Sequence, residues 1–130
     1  MIIAYFKQVE ALLSTFPYIV SIEISFEAID FDRGYFRIKL ILIDQSEFYL
    51  FEYVEIVNSK PQKIKYRYHW QDRDSKLILR WDNAPHHPEI AGFPDHLHEN
   101  QEKNVKPSKK PEISDVLLKV SEQIESKRKR

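Results

Sequence analysis

The sequence predicts an α+β domain in which a meandering antiparallel β-sheet is flanked by an N-terminal and a C-terminal helix. Near each end of the chain, apolar residues recur every three or four positions, as on the buried face of an amphipathic helix. Between these segments, five stretches alternate apolar and polar residues and are joined by short polar turns, which is typical of antiparallel strands. The length of 130 residues fits one domain. We predict that it spans residues 1–126 and that the basic residues 127–130 form a disordered tail.

The N-terminal helix is predicted from five apolar residues at helical spacing, Ile2, Phe6, Val9, Leu13 and Phe16. Pro17 ends the helix, because proline lacks the backbone N–H that a helix needs. From Tyr18 the period changes to two, which predicts a half-buried strand whose apolar face carries Val20, Ile22 and Ile24. We predict four further strands of the same meander, at residues 35–43, 48–57, 63–70 and 76–82.

After Asn83 the character of the chain changes. Proline and glycine recur between residues 85 and 94, which forbids long regular elements and predicts a loop, with a short strand near His96. Residues 99–111 are polar and rich in lysine. The C-terminal helix is then predicted from a second set of apolar residues at helical spacing, Ile113, Val116, Leu117, Val120 and Ile124.

The composition excludes several kinds of site. The chain has no cysteine, so it forms neither a disulfide nor a thiolate metal site, and it has no cysteine nucleophile. No basic flank precedes the apolar N-terminus, and charged residues interrupt each apolar run before it reaches the length that spans a bilayer. We therefore predict a soluble, cytoplasmic protein without a signal peptide or a membrane segment.

The net charge of +0 conceals an uneven distribution of charge along the chain. Residues 1–55 carry 4 basic and 9 acidic side chains, whereas residues 56–130 carry 16 basic and 11 acidic ones. A basic half is suited to a partner that carries phosphate groups. Complementary packing of the two halves, together with a solvated basic tail, explains the same asymmetry.

The strand predicted at residues 63–70 separates aromatic from cationic side chains. Alternation puts Ile64, Tyr66, Tyr68 and Trp70 on one face, and Lys63, Lys65, Arg67 and His69 on the other. A four-residue turn after this strand pairs Arg67 with Arg80, and Lys65 with Asp82. Two opposed arginines repel each other unless an anion such as phosphate lies between them. Alternatively, each arginine pairs with an acid of its own, such as Asp72, Asp74 or Asp82.

A second conflict of charge lies in the strand predicted at residues 48–57. Glu52 shares a face of this strand with Phe48, Leu50 and Val54. A carboxylate on an apolar face needs a partner, because burial without one is costly. The alternation leaves open whether Arg37 supplies that partner.

Four of the five histidines lie within thirteen residues, from His86 to His98. Histidine titrates near pH 6.5 when unperturbed, so it takes or gives a proton at neutral pH, and its neutral ring is the commonest protein ligand of metals. Packing alone explains such a cluster poorly. We therefore predict a functional site in this part of the chain.

Three motifs follow one another here. Tyr66-x-Tyr68-His69-Trp70 is followed by the run Arg80-Trp81-Asp82-Asn83-Ala84-Pro85-His86-His87, and then by Phe93-Pro94-x-His96-x-His98. In this order they resemble the TumE family of prokaryotic toxins from type II toxin–antitoxin pairs, and the resemblance extends from about Arg37 to the last helix. One departure is Leu97, which stands between two histidines where a basic residue is expected. It weakens a phosphate-binding role at that position.

The resemblance implies a toxin that blocks growth by attacking RNA and is held inactive by a cognate antitoxin. The order of elements is also similar to that of ribonuclease toxins of the RelE or barnase type, which is an analogy of topology alone. We expect an endoribonuclease without a metal or other cofactor, with RNA and the antitoxin as partners and a homo-oligomer as an option.

RNA cleavage without a metal needs a base for the 2′-hydroxyl, an acid for the leaving oxygen, and cations for the charge that builds on phosphorus. We assign these catalytic roles to His69, Arg80, Asp82, His86, His87, His96 and His98. We assign substrate binding to Lys65, Arg67, Tyr68 and Asn83.

Two alternatives remain open. In an extended chain His96 and His98 point the same way, and Asp82 or His86 would complete a metal site, although adjacent His86 and His87 point apart. No His-Glu-x-x-His motif is present. The other alternative is a binding module whose histidines and tyrosines stack on bases without chemistry. A chelator separates these functions, because it abolishes only metal-dependent cleavage.

Overall fold

The computed structural model describes residues 1–129, which form two helices and seven strands. The elements are α1 (Ile2–Leu13), β1 (Ile19–Ala28), β2 (Arg33–Leu42), β3 (Glu47–Val57), β4 (Lys60–Gln71), β5 (Leu77–Asp82), β6 (His96–Glu99), β7 (Val105–Pro107) and α2 (Ile113–Arg128). The strands form a single antiparallel sheet in the order of the chain, from β1 to β7. The predicted α+β class with a meandering sheet is therefore confirmed. β6 is the short strand expected near His96, whereas β7, with only three residues, was not predicted.

Both helices cover the same face of the sheet, which we call the covered face. The Phe6 ring of α1 stacks on Phe26 of β1 with centroids 4.7 Å apart and meets Phe36 of β2 edge-on at 6.4 Å. The Lys127 ammonium of α2 lies 5.9 Å from the Trp70 ring of β4. Each large apolar side chain that this layer buries contributes about 1.5–3 kcal/mol to folding. The opposite face of the sheet, covered by neither helix, is called the open face.

Glu52 lies on the covered face and is fully buried. The hydroxyl of Tyr5 donates to its carboxylate at 2.5 Å, the hydroxyl of Tyr68 donates to the other oxygen, and the Lys63 ammonium lies 3.5 Å away. Three side chains thus supply the partner that the sequence predicted for Glu52. Arg37 takes no part, because its guanidinium lies 4.8 Å from the ring of Phe51.

Lys63 reaches Glu52 because of a β-bulge, which reverses the predicted faces at the start of β4. Tyr53 pairs with Lys65 but Val54 pairs with Lys63, so Ile64 is an extra residue without a partner in β3. A bulge of this kind turns the preceding side chains to the other face. The prediction that Lys63 is on the cationic face, and Ile64 on the aromatic face, was wrong. Ile64 is 51% exposed.

β1 is an edge strand, and its apolar face is more exposed than predicted. Val20, Ile22 and Ile24 are 68%, 43% and 37% exposed. The register shifts between Ile19 and Ser21, so Val20 lies in an irregular part of the pairing with β2. Helix α1 packs on Phe26 near the end of β1 but leaves Val20, Ile22 and Ile24 partly open to solvent. The strand was therefore predicted correctly, but its half-buried character was not.

The end of α2 includes two residues that were predicted to be in the tail. Lys127 and Arg128 are helical, and the Arg128 guanidinium lies 3.8 Å from Glu125, one turn earlier. Basic side chains in the last turn are favourable because the carbonyl end of a helix carries partial negative charge. Arg130 lies outside the described residues, and disorder of the tail stays a prediction. No helix within residues 1–129 has the length and apolar character needed to cross a membrane.

Candidate functional site

The predicted site residues come together on the open face because of the pairing of β4, β5 and β6. Arg67 lies opposite Asp82, and His69 lies opposite Arg80. On the other side of β5, Arg80 pairs with His98, and Asp82 pairs with His96. Alternate residues of neighbouring antiparallel strands share a face, so these six side chains form one layer. The sequence placed Arg67, His69, Arg80 and Asp82 on one face, but of His96 and His98 it predicted only that they point the same way.

The predicted register between β4 and β5 was wrong by two residues. Five residues, 72–76, separate the paired Gln71 and Leu77, and Trp70 then pairs with Leu79, which leaves Ile78 as an extra residue. The longer turn is held by the Asp72 carboxylate, which accepts hydrogen bonds from two backbone N–H groups within it. Arg67 therefore faces Asp82 rather than Arg80. The argument that an anion must separate two opposed arginines loses its basis.

Three histidines form a compact cluster at one end of this layer. The rings of His96 and His98 have centroids 4.8 Å apart, and His87 lies 5.1 Å from the first and 5.7 Å from the second. His96 and His98 come from β6, where their spacing of two places them on the same face. His87 reaches them from the loop between β5 and β6, which is tied to β4 by the Tyr66 hydroxyl donating to Asp95 at 2.8 Å.

Asp82 is the carboxylate at the centre of the cluster, and it is buried. One of its oxygens lies 3.0 Å from Nε2 of His96 and accepts the backbone N–H of Ala84 at 3.0 Å. Its other oxygen lies 3.6 Å from Nε2 of His98 and accepts from Nε of Arg80 at 3.3 Å. Two imidazole nitrogens and one guanidinium thus converge on a single side chain.

The orientation of each ring in the cluster is set by a contact at Nδ1. Nδ1 of His96 lies 2.9 Å from the carbonyl oxygen of Pro94, and Nδ1 of His98 lies 2.7 Å from that of Glu102. Nδ1 of His87 lies 3.3 Å from the Glu89 carboxylate. Carbonyl and carboxylate oxygens only accept, so Nδ1 carries the proton in each ring. In the neutral ring, Nε2 then presents a lone pair.

Arg80 holds the cluster together rather than facing a substrate. Its buried guanidinium donates to both oxygens of Glu102, one at 2.5 Å, and to Asp82. The hydrogen bond from Arg80 lowers the pKa of Glu102. Burial and the nearby Arg80 charge lower the pKa of His98, while the bond to the Glu102 carbonyl opposes them. His98 is therefore neutral at pH 7.

A pocket of about 610 Å³ opens above the cluster. Its rim is cationic, because Lys65, Arg67 and Lys103 line it beside the exposed His86. No carboxylate among residues 1–129 forms a salt bridge with any of these three cations. The pocket therefore combines buried nitrogen and oxygen donors at its base with free positive charge at its mouth.

Two of the predicted substrate-binding residues lie elsewhere. Tyr68 is fully buried on the covered face, where its hydroxyl donates to Glu52, so it is a core residue. The Asn83 amide is engaged with the backbone of β4, since its oxygen accepts from Tyr66 and its nitrogen donates to Ile64, both at 3.1 Å. It extends the pairing of the two strands past the bulge. These positions give no support to a substrate contact by either residue, and both assignments stay predictions.

His69 is on the open face but outside the histidine cluster. Its Nε2 donates to the Gln71 side-chain oxygen at 2.8 Å, while its buried Nδ1 has no hydrogen-bond partner within residues 1–129. Burial lowers the pKa of His69, and the charges of Arg67 and Arg80 add to this effect. Its ring lies beside Tyr49, with centroids 6.2 Å apart. His69 thus belongs to a neighbouring groove.

This groove was not predicted. It has a volume of about 480 Å³ and crosses the open face from β1 to β4, and Arg67 lines both the groove and the histidine pocket. Aromatic rings and cations alternate along it, with Arg37 over Phe51 and the Lys39 ammonium 5.8 Å from the Tyr49 ring. The alternation of residues in β2 and β3 shows which side chains share a face of each strand. Only the pairing of the strands shows that the aromatic and cationic side chains are neighbours.

Sequence reasoning also missed the residues that hold the histidine rings. Glu102 and Glu89 lie in polar segments without a motif, and Pro94 contributes only its backbone carbonyl. Every residue has a backbone carbonyl, so the residue types do not reveal which carbonyl accepts the hydrogen bond from a ring. A weak signal exists for Glu102, because a carboxylate four residues after His98 is within reach across a tight turn.

Comparison with known proteins adds the family. The sequence model of the family described as Toxin TumE matches residues 9–128, which is nearly the whole chain. The chain belongs to the TumE toxin family. No curated protein and no solved structure matches it. The predicted resemblance is thus confirmed, and TumE membership implies an antitoxin as partner. All three motifs of the sequence fall within the matched residues.

Proposed function

We propose that this TumE-family toxin inhibits growth as an endoribonuclease and that the pocket above His87, His96 and His98 is its active site. The observation that carries the proposal is the junction of two features on the open face. A groove lined by cations and aromatic rings leads into a pocket whose base holds the histidine cluster and Asp82. Family membership makes the chain a toxin, and this geometry supports RNA as the target.

The groove offers what a single-stranded nucleic acid requires. Tyr49 and Phe51 offer ring faces on which bases stack, which is worth about 1–3 kcal/mol per base. Arg37 and Lys39 lie beside these rings and are suited to the phosphates of the same strand. Arg67, shared with the pocket, is placed to hold the phosphate at which the chain is cut.

The chemistry of RNA cleavage matches the contents of the pocket. The 2′-oxygen forms a bond to phosphorus while the bond from phosphorus to the 5′-oxygen breaks. The 2′-hydroxyl gives its proton to a base, and an acid protonates the 5′-oxygen, so the products are a 2′,3′-cyclic phosphate and a 5′-hydroxyl. Histidines are suited to both proton transfers. Lys65, Arg67 and Lys103 are suited to the negative charge on phosphorus.

The test is cleavage of defined RNA. Purified protein is incubated with a labelled single-stranded RNA and with DNA of the same sequence, with and without added Mn²⁺ or Zn²⁺. We expect cleavage of the RNA alone, because DNA lacks the 2′-hydroxyl. Arg67→Gln should slow cleavage by at least ~10-fold, since it removes one charge-assisted contact to the phosphate.

Arg73→Gln is the matched control, because Arg73 lies in the exposed turn between β4 and β5, and it should leave the rate unchanged. A protein that arrests growth but cleaves RNA in neither condition contradicts the proposal. RNA binding in the groove without cleavage identifies a binding module instead.

A further inference from the structure

We infer that His87, His96 and His98 bind a divalent transition-metal ion, with the Asp82 carboxylate as its oxygen ligand. The inference deepens the proposed function and rests on it only for the role of the ion in RNA cleavage. The three histidines offer nitrogen atoms that all lie within 4.8 Å of one another. Metal binding itself follows from the arrangement of these atoms and can be measured without any RNA.

The first argument is the orientation of the rings. Each of the three histidines has its Nδ1 at an acceptor, which is the Pro94 carbonyl, the Glu102 carbonyl or the Glu89 carboxylate. An imidazole that ligates a metal through Nε2 characteristically donates Nδ1–H to such an acceptor, which fixes both the tautomer and the direction of the ring. Packing alone gives no reason for three rings to be anchored through the same atom.

The second argument is the conflict that this anchoring creates. Nε2 of His96 and Nε2 of His98 face the Asp82 carboxylate at 3.0 and 3.6 Å, so each contact is favourable only with a proton or a metal ion between the two atoms. In neutral rings, which carry their proton on Nδ1, the lone pairs on both sides repel each other, and all three side chains are buried. A cation between them turns each of these contacts into an attraction. One divalent ion serves both rings and the carboxylate at once.

The third argument is size. A tetrahedral ion with bonds of ~2.0–2.1 Å holds its ligand atoms about 3.3 Å apart. The histidine nitrogens lie within 4.8 Å of one another, so closing on an ion requires each ring to move by only about 1 Å. His87 is best able to move, because it is half-buried and lies in the loop between β5 and β6.

The donor set selects the kind of ion. Three imidazoles and one carboxylate are suited to Zn²⁺ and to Co²⁺, Ni²⁺ or Mn²⁺. Mg²⁺ prefers oxygen ligands and retains several waters, so it is a poor match. With three histidines holding the ion, His86 is the histidine of the pocket that stays free for proton transfer. The ion would polarise a phosphoryl oxygen, which assigns the histidine cluster a role other than acid–base catalysis.

The experiment compares two adjacent histidines. The full-length protein is stripped with a chelator, dialysed, and titrated with Zn²⁺ by calorimetry and with Co²⁺ by visible absorption. We expect one ion per chain, with Co²⁺ bands characteristic of low coordination number. His87→Ala should weaken Zn²⁺ binding by more than the ~10- to 100-fold that follows loss of an outer-shell partner. His86→Ala, one residue away and outside the cluster, should bind as the parent does.

Thermal stability provides a second test of metal binding that does not depend on RNA. Zn²⁺ should raise the melting temperature of the parent and of His86→Ala but not that of His87→Ala, because an ion that binds only the folded state stabilises it. Absence of binding by the parent, or equal binding by the two variants, overturns the inference.

RNA cleavage that persists in chelator refutes the role of the metal while leaving the ribonuclease intact. Metal binding without RNA cleavage refutes the ribonuclease while leaving the metal site intact.

Discussion

Two buried carboxylates, one on each face of the sheet, differ in the atoms that surround them. Glu52 on the covered face receives two hydroxyl donors, from Tyr5 and Tyr68, and the ammonium of Lys63. Every neighbour that approaches it carries a proton. Its environment is complete, and the group needs nothing from outside the chain.

Asp82 on the open face has a different environment. It accepts from Arg80 and from one backbone N–H, but His96 and His98 turn their Nε2 atoms toward it while their Nδ1 atoms donate to backbone carbonyls. Burial by itself therefore does not distinguish a structural charge from a functional one. The distinction that we propose is whether the neighbours bring donors or further acceptors, because neutral acceptors that converge favour binding of a further cation.

The largest expected effect is that of Asp82→Asn on activity. The substitution removes the carboxylate at the centre of the cluster, and loss of one central group of an active site typically costs ~100- to 10,000-fold in rate. The free energy of unfolding should fall by less than in Glu52→Ala, because Arg80 keeps its bonds to Glu102. The measurements are RNA cleavage and urea unfolding, with Asp74→Asn in an exposed turn as control. Unchanged cleavage by Asp82→Asn would refute a functional role for Asp82.

Glu52→Ala should have the opposite effects to Asp82→Asn, with a large loss of stability and little loss of activity. It leaves the Lys63 ammonium and two hydroxyls buried without their acceptor, and breaking a buried ion pair in this way costs about 3–5 kcal/mol. Urea unfolding should show this loss, while the activity of the fraction that remains folded should be retained. Glu55→Ala, in the same strand and without such partners among residues 1–129, should change stability by less than about 0.5 kcal/mol. Equal losses in the two variants would contradict a structural role for Glu52.

The smallest expected effect concerns His69, a half-buried group of the open face outside the cluster. Burial together with Arg67 and Arg80 lowers the pKa of His69 below its ordinary value of 6.5, while Glu102 and Gln71 oppose this. The unfolded chain therefore binds the proton first as the pH falls. Stability should decline from about pH 6.5 down to the folded-state pKa and should not depend on this group at higher pH.

His69→Gln tests this dependence. The variant cannot take up the proton, so its loss of stability between pH 7.5 and pH 5.5 should be smaller than that of the parent. Urea unfolding is measured at both pH values in the presence of chelator, so that metal binding does not contribute. Identical losses in parent and variant would show that the His69 proton does not contribute to acid sensitivity.

Local pattern was sufficient for most of the fold. The spacing of Ile2, Phe6, Val9 and Leu13 predicted α1, and alternation predicted five of the seven strands, because both periods follow from backbone geometry within a few residues. The errors arose where the pairing became irregular. A bulge at Ile64 and a longer turn after Gln71 each displace neighbours without changing the composition of the strand.

The candidate site was predicted as a set of residue types rather than as a geometry. Histidine density and the family motifs pointed to His87, His96, His98 and Asp82. They did not distinguish His86 from His87, because adjacent residues in a loop have no periodicity from which their directions follow. They also placed Tyr68 at the substrate, although its alternation with Tyr66 and Trp70 already put it on the apolar face.

The sequence by itself determined the class of fold, the open-face layer of Arg67, His69, Arg80 and Asp82, and membership of the TumE family, since each depends on the order and period of side chains. Tertiary structure alone decided which of those side chains meet. Cross-strand register opposed Arg67 to Asp82, and the backbone carbonyls of Pro94 and Glu102 fixed the direction of two histidine rings. The register joins residues that are distant in the chain, and a backbone carbonyl is present at every position, so no local pattern of side chains encodes these contacts.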